Sequence, residues 1–106
     1  MTQPEARRRQ LVARLDHEME EIYHRAKREV HYPATRFLQM VKEDGGLTTA
    51  HRLLEPGQVS YGLAELFLLG RPDLSVEALA LKPEFEELFT RQELATARER
   101  LGRKEG

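Results

Sequence analysis

LVARLDHEMEEIYHRAKREV, residues 11–30, decides the fold. Leu11, Leu15, Met19, Ile22, Ala26 and Val30 recur at spacings of three and four, with Val12 and Tyr23 beside them. At about 100° per residue they fall in one stripe roughly 120° wide, which is the pattern of an amphipathic helix. Neither Gly nor an internal Pro interrupts the chain from Pro4 to Val30, and Arg14–Glu18, Glu21–Arg25 and Arg25–Glu29 form i,i+4 pairs on the remaining surface. The pair Tyr32-Pro33 ends the helix, because a residue before proline is pushed out of helical geometry.

Downstream the chain reads as a series of shorter helices. Pro33 suits the first position of the second, with Ala34, Phe37, Leu38 and Val41 on one face and Gly45-Gly46 as its stop. A third covers about 48–54, and a fourth starts from Ser60 as N-cap and runs to Leu69, closed by Gly70 and Pro72. Asp73 or Ser75 caps a fifth over 76–81. Pro83 then opens a single turn that points Phe85, Leu88 and Phe89 inward. Thr90-Arg91-Gln92-Glu93 is a capping box for a last helix carrying Leu94, Ala97 and Leu101. The stretch 74–81 alternates like a strand in part, yet it has no second strand to pair with. The expectation is an all-α, compact bundle of five to seven helices, a long N-terminal helix followed by shorter ones. It forms a single domain over 1–101 with a polar tail at 102–106.

Composition sets the outer bounds. With 106 residues there is room for one domain, and 40% hydrophobic residues, sixteen of them leucines, can build its core. No apolar run approaches the roughly 18–20 residues of a membrane span. The polar, basic start from Met1 to Arg9 has no apolar stretch behind it, so a soluble, cytoplasmic protein is expected. The absence of Cys removes disulfides, thiolate catalysis and thiolate metal sites. Thirteen Arg against four Lys, fifteen Glu against three Asp, and no Asn, Cys or Trp fit a thermophile. The net charge of −1 conceals a basic–acidic–basic series. Residues 1–42 carry nine Lys and Arg against six Asp and Glu, residues 43–93 four against ten, and residues 94–106 four against two. Such a series allows contacts with a partner or with a second copy.

Catalytic chemistry finds no constellation here. The sequence lacks a Gly-rich phosphate loop and a G-x-S-x-G motif, both serines fall at cap positions, and no cofactor is implied. Glu84, Glu86 and Glu87 read as solvated charges on a short helix. His17, His24 and His31 stack seven residues apart on one helical face with Glu20 and Glu21 between the first two, a set of zinc-ligand types. That face lies about 160° from the apolar stripe and its imidazoles are about 10.5 Å apart along the axis, so it reads as solvated.

Length supplies a sharper lead. A helix of about 25 residues is about 38 Å long, whereas a compact chain of this size is only roughly 33 Å across. The N-terminal turns are therefore expected to overhang or to pack on another chain, which makes Leu11, Val12, Leu15 and Met19 the expected partner interface of a homodimer. The alternative is a nucleic-acid-binding accessory protein using Arg7, Arg8, Arg9, Arg98 and Arg100, with Arg103 and Lys104 beside them. Neither basic cluster contains an aromatic side chain for stacking, and Gln92-Glu93 stands where a recognition helix would read bases. Arg36 and Arg52 are further basic positions expected to be buried or interfacial. The stretch YGLAELFLL, residues 61–69, is apolar nearly all round. It reads as the central helix of the bundle, a partner groove or anchoring helix being the other reading.

The blocks IYHRAK (22–27), PATRFLQM (33–40), GGLTTAHRLL (45–54) and DLSVEALAL (73–81), with the later LFT and ELATARERL up to residue 101, resemble a family of small uncharacterised bacterial proteins. The resemblance covers roughly 19–101. It departs at Phe67, where that family carries Trp, and at Leu63, where it carries an aromatic. It implies one domain of conserved length and no mechanism. Function is therefore expected to be that of a non-enzymatic helical protein-interaction module that self-associates through its first helix.

Overall fold

The computed structural model describes residues 4–57 and 61–102. Helix α1 spans Pro4–Val30 and buries the predicted stripe: Leu11, Leu15, Met19, Ile22 and Ala26, joined by Tyr23. It ends at Val30, where the uninterrupted stretch is expected to end. His31 adopts the left-handed conformation (φ 56°), and the Tyr32 amide turns back to donate to the Ala26 carbonyl (3.0 Å). The second helix starts later than Pro33. Ala34 (φ −76°, ψ 65°) is the centre of an inverse γ-turn, in which the Thr35 amide donates to the Pro33 carbonyl (2.8 Å). Pro33 therefore stands outside the helix, and α2 covers Thr35–Asp44.

Gly45 (φ 85°) redirects the chain into α3, Gly46–Leu53. The start of α3 presses on α1 where Gly46 meets Asp16, whose carboxylate accepts the Gly46 amide (2.5 Å). A Cβ at Gly46 would fall 2.5 Å from that carboxylate and 3.1 Å from the Asp16 Cα, so only glycine permits this approach. Helix α4, Tyr61–Leu68, closes on Gly70 (φ 74°). There the Gly70 amide donates to Phe67 (3.0 Å) and the Arg71 amide to Leu66 (2.7 Å), the two bonds of a Schellman motif. Ser60, expected as the cap of this helix, and Arg103 and Lys104 lie outside the described residues.

A 3-10 turn at Pro72–Leu74 leads into α5, Val76–Ala80. Of the two candidate caps it is Ser75 that serves: its hydroxyl accepts the Ala78 amide (3.1 Å) and donates to the Pro72 carbonyl (2.6 Å). The stretch with partial strand character is thus helical. A second 3-10 segment, Pro83–Leu88, buries Phe85 and Leu88, and Phe89 follows them inward. The expected capping box of α6, Arg91–Arg100, is present in both directions between Thr90 and Glu93.

The main core joins α1, α3, α5, α6 and the Pro83–Leu88 segment around Leu15, Met19, Leu54, Leu79 and Phe85. A second, smaller cluster of Ala26, Leu66 and Leu74 fastens α4 near the far end of α1. Six α-helices and two 3-10 segments, with no strand among the described residues, form a compact all-α bundle measuring 45 × 31 × 21 Å. No helix among the described residues is long and apolar enough to cross a membrane.

Candidate functional site

The residues expected to face a second chain are occupied within this one. Leu15 and Met19 are fully buried, Leu11 nearly so, and Val12 packs on the edge of the same core. The first turns of α1, residues 4–10, are largely exposed, as the length argument expects, but the apolar stripe from Leu11 onward is covered within the chain. At about 1.5 Å per residue the 27 residues of α1 reach about 40 Å, within the 45 Å long axis. The partner interface assigned to Leu11, Leu15 and Met19 is corrected accordingly.

One arginine of each cluster pairs with a carboxylate of this chain. Arg7 donates to Glu87 (2.6 Å) on the surface. Arg100 lies inside, donating to the Leu53 carbonyl (2.5 Å), to the Glu55 carbonyl (3.1 Å) and to Glu77 (3.1 Å). With side chains only 14% and 5% exposed, Arg100 and Glu77 tie α6 to α5 and to the end of α3. A guanidinium so held is withdrawn from any phosphate, which removes Arg100 from the nucleic-acid set. Arg8 and Arg9 are exposed on α1, and Arg98 is half-buried on α6. Arg52 pairs with Asp44 (2.6 Å) at the surface. His17, His24 and His31 are exposed, and among the described residues no group of three His, Asp or Glu side chains is placed to hold a metal ion.

Two features remain, on opposite sides of α4. Leu63 and Leu66 turn inward, whereas Leu68 is 82% exposed, with Phe67 at 46% and Leu69 at 41%. This helix is peripheral, its main neighbour being the Pro72–Leu74 turn, so the expectation of a central helix is corrected. An eight-residue helix has about two turns, and a single contact side cannot bury apolar residues on all of them.

On the inner side α4 stands away from α2 and leaves a half-open groove of about 500 Å³. Ile22 and Ala26 of α1, Phe37 and Met40 of α2, and Leu63 and Leu66 of α4 make its walls apolar. Gly62 leaves space on the α4 side, the Tyr32 hydroxyl being 3.9 Å from where a Cβ would stand. Burial, and secondarily the charge of Glu65, push the Tyr32 hydroxyl above its ordinary pKa, so it is a neutral donor at neutral pH. Arg36 lines the groove from the first turn of α2 and is exposed, so of the two roles expected of it, buried or interfacial, burial is corrected.

Next to the groove a clamp secures the end of α1. Arg71 grips Asp73 through two nitrogens (3.0 Å each) and donates to Glu29 (2.7 Å), which also accepts from Arg25 (2.9 Å). Arg25 first and Arg71 second hold the Glu29 carboxyl down to about 2. Arg71 likewise lowers Asp73. Elsewhere His51 meets Glu93 (2.5 Å), linking α3 to the capping box of α6. Asp16–Gly46, Arg71–Glu29, Arg100–Glu77 and His51–Glu93 all escape a reading of the sequence, since their partners stand 23 to 42 residues apart.

Compared with known proteins, the chain matches no family model, no curated protein and no solved structure.

Proposed function

We propose that this chain is a non-enzymatic helical interaction module that associates with a second copy of itself through the outer face of α4. One observation carries the reading: Phe67, Leu68 and Leu69 form consecutive exposed apolar surface at a helix end, with Leu68 82% exposed. Single exposed leucines are ordinary, but three large apolar side chains together mark a contact surface. A two-fold contact centred on Leu68 would place each residue of the patch against the same patch on the other copy, which is how isologous dimers are built. The self-association expected of α1 is thus moved to α4, because α1 has its apolar stripe covered. Arg8 and Arg9 alone do not favour nucleic acid over this reading.

The absence of cysteine makes a clean experiment available. In a Leu68→Cys variant, two thiols meet at the two-fold axis, and mild oxidation should convert most of the protein to a disulfide-linked dimer within minutes. An exposed control on α2, Gln39→Cys, should cross-link far more slowly. Equal and slow cross-linking of both variants would refute the proposal.

A further inference from the structure

We propose that the groove between α2 and α4 is a binding site for a small apolar monocarboxylate, with the apolar body between the walls and the carboxylate on Arg36. The groove is separate from the outer face of α4, so this inference does not rest on self-association.

The volume, about 500 Å³, lies within the roughly 300–1,000 Å³ of small-molecule sites. Its walls are aliphatic and aromatic, from Ile22, Phe37, Met40, Leu63 and Leu66, and they would exclude water from a hydrocarbon body. Polarity is confined to a few groups, and these decide the ligand's charge. Two charged side chains line the groove, Arg36 and Glu77. Glu77 is engaged by Arg100 (3.1 Å), whereas Arg36 makes no hydrogen bond or ion pair among the described residues. Among the side chains that line the groove the uncompensated charge is therefore positive. The first turn of α2 reinforces the sign, since it carries no acidic residue and no side-chain cap. Glu65, whose charge acts on the Tyr32 hydroxyl, disfavours an anion at that end and leaves the Arg36 end for the head group. A planar carboxylate suits a guanidinium through two parallel hydrogen bonds, and the Tyr32 hydroxyl is a neutral donor nearer the tail.

Isothermal titration of the full chain with decanoate, decan-1-ol and decylammonium, all below their aggregation concentrations, tests this directly. Decanoate should bind saturably at one site. Arg36→Gln should weaken it about tenfold or more, to the level of the alcohol, while circular dichroism and the melting temperature stay unchanged. Decylammonium should bind more weakly than either. Gly62→Phe, which fills the groove from an exposed helix position, should abolish binding, and Leu68→Glu should leave it intact. Three results would each overturn the proposal: no saturable decanoate binding, equal affinity for all three probes, or loss of binding in Leu68→Glu but not in Gly62→Phe. The last would place the hydrocarbon on the outer face of α4.

Discussion

His31 and Gly46 are two residues whose backbones, more than their side chains, determine how α1 meets the rest of the chain. His31 is the one non-glycine residue at positive φ among the described residues, a conformation that costs an L-residue about 1–2 kcal/mol. Replacing it with glycine removes that strain at the cost of a more flexible unfolded chain. His31→Gly is therefore expected to raise stability by about 0.5–1 kcal/mol in urea denaturation. Gly46→Ala should do the opposite, since the added methyl meets both the Asp16 carboxylate and the α1 backbone. A loss of about 1–3 kcal/mol is expected, together with the Asp16 hydrogen bond. The sequence marks Gly45-Gly46 as a helix stop, and Gly45 behaves as one. The other role of Gly46 is hidden, because its partner is 30 residues away and no local pattern joins Asp16 to it. Arg100 illustrates the same limit: beside Arg98 and Arg103 it reads as part of a basic patch, and only packing reveals Glu77 beneath it.

At the scale of elements, legibility follows how local the cause is. The end of α1 and the Thr90–Glu93 capping box are set within a few residues and are visible in the sequence, and the cap of α5 is narrowed there to Asp73 or Ser75. The placement of α4 is not, because apolarity all round does not say which side finds neighbours. Its two sides should respond differently to truncation. Leu66→Ala is expected to lose about 2–4 kcal/mol of stability, and Leu68→Ala less than about 0.5 kcal/mol, both read from chemical denaturation. The clamp at the end of α1 adds a pH dependence. Glu29 is held at about 2, below its ordinary 4.5, so its contribution is full above about pH 4.5 and disappears as pH falls toward 2. A Glu29→Gln variant should therefore be less stable than the parent at neutral pH and converge on it near pH 2. Parallel stability profiles for the two proteins across that range would contradict the clamp.

Across the whole molecule, two ion pairs among the described residues match the basic–acidic–basic charge series inside the chain. Arg7 with Glu87 (2.6 Å) and Arg100 with Glu77 (3.1 Å) each pair a basic flank with the acidic middle, whereas Glu18 with Lys82 (3.7 Å) and Glu29 with Arg71 (2.7 Å) cross the same boundary with the charges reversed. The apolar stripe of the long first helix is likewise covered from Leu11 onward. What stays uncovered is the outer face of α4, and the account centres on that face. Sedimentation equilibrium over a micromolar to millimolar range tests it most directly. The parent chain should approach twice its 12.3 kDa mass as concentration rises, and Leu68→Glu should hold the monomer mass with an unchanged melting temperature. A parent chain that remains monomeric throughout, or a Leu68→Glu variant that dimerises as readily as the parent, would contradict the account.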